Sequence, residues 1–100
     1  MFLGIETAEE IREALRQAAR QRRLVMGWSQ ADLAARSGVS LGSLKRFESS
    51  GEISLTSLLA LAGAMDALEG FGALFPLPET RSLAEVEARA RIPQRAGRRK

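Results

Sequence analysis

The residues best equipped for chemistry lie in one stretch, "SGVSLGSLKRFE", residues 37–48. Ser40, Gly42 and Ser43 are small, and Lys45 and Arg46 are long cations carrying several hydrogen-bond donors. That set can contact an anion or a polar edge. It cannot readily make or break bonds. The chain has no histidine and no cysteine to act as base, nucleophile or usual metal ligand. It also lacks a glycine loop of the phosphate-cradling kind. The acidic pairs Glu9–Glu10 and Glu85–Glu87 fall on helical stretches and read as dipole and solubility charges. The expectation is a protein that is not an enzyme and uses no cofactor and no metal.

The same stretch raises a structural question. Leu44 and Phe47 sit three apart, as on one face of a helix, yet the smallest residues stand where that helix should begin. Upstream, Ser29 is a good N-cap, with Asp32 three residues on. Gln30, Leu33 and Ala34 follow, and Gly38 ends this second helix. A small Ala34 lets two helices cross closely, Gly38 supplies the positive φ of a sharp turn, and Val39 and Leu44 lock that turn inward. Two short helices joined so form a helix-turn-helix, whose second helix enters the major groove of DNA. Small residues at its start then keep bulk out of the groove, and helix N-terminal amides can face a phosphate.

The remaining elements must position that pair. "ETAEEIREALRQAARQRRLVMG" predicts a long first helix with a capping box at Thr7 and Glu10. Its expected apolar stripe is Ile11, Leu15 and Ala18 or Ala19, and Gly27 is its stop. Ser40 caps a third helix, Leu41 to about Ser49. Ser54 caps a fourth, with Leu55, Leu58, Leu59, Ala62 and Met65 as its apolar face. Asp66 is expected to start a fifth, "ALEGFGALF", halted by Pro76. After the linker "PLPET", Ser82 and Glu85 predict a capped helix with Leu83, Val86 and Ala90 along one side, which Pro93 breaks. Trp28 reads as a packing residue or, less simply, a base-stacking one. "RQRR" is a polar helix end or a phosphate clamp. Phe2, Leu3 and Ile5 either cover the edge of the core or pair with a second subunit.

A chain of 100 residues, 45% hydrophobic but only 5% aromatic, suits one core of small helices better than a β-sandwich. No apolar run is long enough to span a bilayer, and "MFLGIETAEE" lacks the basic start of a signal peptide. A cytoplasmic location without membrane contact is expected. The charge is uneven. Residues 80–100 carry a net +5 and residues 52–79 a net −4. The basic end points to nucleic acid, an acidic partner or solubility.

"WSQADLAARSGVSLGSLKRFESSGEISLTSLLALAGAM" resembles the lambda-repressor-like, Xre-type helix-turn-helix family over roughly residues 9–75. The resemblance implies an all-α, five-helix domain over residues 1–79, with a short C-terminal helix and basic tail over 80–100. It implies a homodimer that binds double-stranded operator DNA and represses transcription. Ser29, Gln30, Ser40, Leu41, Gly42, Ser43, Lys45 and Arg46 would form the DNA surface. Gln30 would bond a phosphate and brace the recognition helix, Arg46 would read guanine, and Lys45 would face the backbone. Arg23 and Glu48 would pair across the core. Many members carry Gln, Asn or Arg where this chain has Leu41 and Gly42, so one domain would read little sequence by direct bonds. The stretch "LKRFESSGEISLTSLLALAGAMDALEGFGALFP" is similar to HipB-like antitoxins, which inhibit HipA-type kinases and repress their own operon. Phe71, Leu74, Phe75, Leu83 and Val86 would then meet the kinase or the dimer mate. The alternatives are a stand-alone, phage-like Xre-type repressor, or an interaction module that has lost DNA binding.

Overall fold

The computed structural model describes residues 7–79 and 82–91. Among them are five α-helices and no strand: α1 (Ala8–Val25), α2 (Gln30–Ser37), α3 (Leu41–Ser50), α4 (Leu55–Ala64) and α5 (Leu83–Ala90). Each begins at a hydroxyl cap. The Thr7, Ser29, Ser40, Ser54 and Ser82 side chains each accept a hydrogen bond from the amide three residues on. At Thr7 and Ser29 the capping is reciprocal, through Glu10 and Asp32. These bonds satisfy donors that a helix start leaves without partners.

The core lies where α2, α3 and α4 meet, from Leu33, Val39, Leu44, Phe47, Leu61 and Met65. Trp28, Ile53 and Leu58 pack against it half-buried. The turn between α2 and α3 hangs on Gly38: its amide makes the last helical bond, to the Ala34 carbonyl at 2.9 Å, and its φ of 79° then turns the chain out of the helix. A side chain there would be strained. Gly51 ends α3 in the same way, at φ 83°, with the Arg12 stem lying against its α-carbon.

Three expectations need correction. The α1 stripe of Ile11 and Leu15 does not enter the core, leaving these residues 43% and 42% exposed. The face that α1 turns to α3 is instead Arg16, Ala19 and Arg23, spaced three and four apart, with Arg23 buried. At that contact Glu48 on α3 takes the Arg23 guanidinium inward. On α4 the deeply buried leucine is Leu61, while Leu55 stays mostly exposed, because α4 meets α2 along the line of Leu61, Ala62 and Met65.

The fifth helix expected from Asp66 also does not form. Asp66 adopts a left-handed conformation, φ 56°, and closes α4: its amide bonds the Gly63 carbonyl and the Ala67 amide bonds that of Ala62. Arg22 seals this end by donating to the Met65 and Asp66 carbonyls at 2.8 and 3.0 Å. Between this end and α5, among the described residues, only a single 3-10 turn, Phe71–Ala73, is regular. Two glycines in so short a stretch cost more backbone entropy than one turn can return. The fifth α-helix in chain order is therefore the capped segment α5, which buries no residue and packs extensively along none of the other described helices. Phe2, Leu3, Ile5, Pro93 and the basic end lie outside the described residues.

Candidate nucleic-acid interface

Helix α3 divides cleanly. Leu44, Phe47 and Glu48 are buried on one side; Leu41, Gly42, Ser43, Lys45 and Arg46 are exposed on the other. The buried side contains a charged hub. Arg23 Nε and Nη2 donate to Glu48 Oε2 and Oε1 at 2.8 and 2.9 Å, a bidentate pair 6% and 7% exposed at its two residues. The third nitrogen of the guanidinium donates to the Trp28 carbonyl at 2.8 Å. Gln30 Nε2 donates to Glu48 Oε1 at 3.0 Å, and Arg16 donates to the Glu48 backbone carbonyl. One glutamate thus ties α3 to both α1 and α2. Burial pushes the Glu48 carboxyl up, but hydrogen bonds from Arg23 and Gln30 and the charges of Arg23 and Arg20 together hold it below its ordinary value of 4.5. Arg23 is raised in turn, first by its bond to Glu48.

On the exposed side, Ser40 Oγ takes the Ser43 amide and donates to Ser43 Oγ at 2.9 Å. The Ser43 hydroxyl proton is then left to point outward. Nothing lies within 4 Å of a β-carbon placed on Gly42, so no neighbour in the chain requires a glycine there. The space is on the outer side of the helix start. Arg46 Nη2 meets Glu52 Oε1 at 3.2 Å, both side chains being mostly exposed. These two border a polar cleft of about 590 Å³ beside α3, which Arg12, Ser43, Ser54 and Ser57 also line.

Of the residues expected to face DNA, Leu41 through Arg46, apart from buried Leu44, share one open face. Ser29 and Ser40 hold helix starts, and the Gln30 amide nitrogen is committed to Glu48. Phe71 lines a groove on the body, Leu74 and Phe75 are exposed between the 3-10 turn and the linker, and Leu83 and Val86 are exposed on α5. Sequence reasoning missed Arg16 and Arg22, which reach carbonyls near helix ends of other elements, and Glu52, which holds Arg46. The only signal for the first two was an arginine-rich helix with more cations than its own end needs. Trp28 packs on the core with the Arg36 guanidinium 4.3 Å from its ring centroid. Among the described residues, no group of His, Cys, Asp or Glu could hold a metal ion, and no helix is long and apolar enough to cross a membrane.

Comparison with curated proteins gives no match to the chain. The family model described as Helix-turn-helix matches residues 20–68, from the last turns of α1 to just past α4. That span holds the charged hub, the Gly38 turn and the open face of α3; its fold is that of a lambda-repressor-like helix-turn-helix, and the match supports a DNA-binding, Xre-type transcription regulator.

Proposed function

We propose that the chain is a transcriptional repressor that binds operator DNA as a homodimer and acts in the cytoplasm. Residues 1–79 form the DNA-binding unit and residues 80–100 an appended helix and basic tail. The observation that carries this reading is the division of α3. One side is fixed by Leu44, Phe47 and the Glu48 hub, and the other presents Leu41, Gly42, Ser43, Lys45 and Arg46 with no covering element. In the major groove, Arg46 donates to guanine, Ser43 adapts to either partner, and Leu41 touches a thymine methyl. Lys45 meets the backbone, as do the helix starts capped by Ser29 and Ser40. Gln30 braces α3 through Glu48 and presents its remaining polar atoms to a phosphate. With so few base readers per protomer, specificity also requires the second half-site and DNA shape.

A mobility shift on the protein's own upstream region tests the reading. Arg46→Ala should lose about 1–3 kcal/mol of specific binding and relax preference at one base pair per half-site. Lys45→Ala should weaken all sequences alike and lower the salt slope by about 1. No shift with the folded protein would leave an interaction module without DNA binding.

The exposed apolar residues of the linker favour a second role, that of a HipB-like antitoxin. Phe75 is 95% exposed, Leu74 and Leu77 are also open, and they end an acidic stretch poorly suited to facing phosphates. A HipA-like kinase would cover them. Co-expression with the product of the adjacent gene should give a stable complex. Separate elution of the two proteins at micromolar concentration would leave the stand-alone repressor.

A further inference from the structure

Two apolar surfaces are left open by the described helices. One is a groove of about 230 Å³ between α1 and α4, walled by Leu15, Ala18, Leu58 and Ala62 and closed at one end by Phe71. It borders the stripe of Ile11 and Leu15 that α1 turns away from the core. The other is the face of α5, where Leu83 and Val86 are 73% and 48% exposed on a helix that packs extensively along no other described helix. We infer that α5 of one protomer fills the α1–α4 groove of a second copy, and that reciprocal exchange of these arms builds the dimer. The inference deepens the dimeric reading above and rests on it.

Spacing, charge and the linker support this occupant. Leu83, Val86 and Ala90 follow three- and four-residue steps, the pattern that seats one helix against another. Helix α1 carries a net −1 over residues 8–16, where Arg12 and Arg16 offset part of Glu9, Glu10 and Glu13, and a net +3 over residues 17–25. Helix α5 runs from acidic Glu85 and Glu87 to basic Arg89 and Arg91. Laid antiparallel, each acidic end meets the other helix's basic end, and the dipoles oppose favourably. Pro76 and Pro78 separate α5 from its own body. Each fixes its own φ and holds the preceding residue extended, so the linker is a spacer and not a hairpin. Two identical arms seated in two identical grooves close a two-fold dimer and leave neither surface open.

The chain has no cysteine, so single thiols can mark the two faces. Full-length Ala18→Cys and Val86→Cys proteins are mixed and oxidised, beside each alone and beside the double variant. Exchange predicts a disulfide-linked heterodimer in the mixture, well above the unmixed controls, and linked dimers from the double variant. The unmodified chain should elute at about twice its 10.9 kDa mass. Adding both L83E and V86E should raise the dimer dissociation constant on the order of 100-fold while circular dichroism stays helical. An intrachain link in the double variant would assign the groove to the protein's own α5 and overturn the proposal. So would absence of any link, or a link only to a co-expressed kinase. DNA binding is read separately. A crosslinked dimer that shifts no DNA removes the repressor reading and leaves this interface intact, while a DNA shift without crosslinking does the reverse.

Discussion

Helices α3 and α5 begin alike. Each is capped by a serine that takes the amide three residues on, and each carries an apolar stripe. Yet α3 gives Leu44, Phe47 and Glu48 to the interior, while α5 gives nothing. The difference does not lie in the caps or in the lengths, ten residues against eight. It lies in what waits opposite. Helix α3 finds α1 and α2 around it and a guanidinium aimed at its glutamate; α5 has no comparable packing against the other described helices. A short amphipathic helix is marginal until something covers its face, so the same local grammar yields a fixed element in one place and an arm in the other.

The contrast can be broken from the α3 side first. Glu48→Ala should cost roughly 3–5 kcal/mol of folding stability in denaturant titrations, because Arg23 is left buried without its counter-charge. Arg23→Ala should do likewise, and the double variant should lose less than the sum. Additive losses would mean the pair is not coupled. Leu44→Ala should cost about 2–5 kcal/mol, whereas Leu83→Ala, measured on dilute protein, should stay within about 0.5 kcal/mol. A large loss from Leu83→Ala would show that α5 belongs to the fold of the single chain.

Acid sharpens the same comparison. Because Glu48 is held below 4.5 when folded, its contribution is complete above that value and fades as pH falls through the depressed one. Thermal stability should therefore decline on acidification below about pH 4.5, and Glu48→Gln should flatten that decline. An unchanged acid limb in the variant would place the sensitivity elsewhere. The smallest effect concerns the caps. Ser40→Ala should lower global stability by about 1 kcal/mol, and Ser82→Ala should leave it unchanged.

Much of the α2–α3 half was legible because its signals are local. Ser29, Gly38 and Ser40 each state a backbone requirement that only a few residue types meet, and Leu33, Val39, Leu44 and Phe47 have no other place to go. The rest depended on distant partners. Ile11 and Leu15 look like core residues, yet the face of α1 that meets α3 carries Arg23, which Glu48 takes inward. Leu55 and Leu61 are equally apolar, and only the crossing of α4 over α2 separates them. The "ALEGFGALF" stretch has the right apolar spacing, but Gly70 and Gly72 and the left-handed turn at Asp66 decide against a helix. On the recognition face, the residue types were readable. The Arg46–Glu52 contact was not, since it joins a helix to the loop that follows.

The single tryptophan of the chain has a further use. Trp28 lies half-buried between α1 and α2, its carbonyl bonded to Arg23 and its ring beneath the Arg36 guanidinium. It is therefore an intrinsic fluorophore placed beside the charged hub, and it lines neither the polar cleft beside α3 nor the α1–α4 groove. Its emission can follow the opening of the body by acid or denaturant with no label attached, and it should remain quiet when the arm moves.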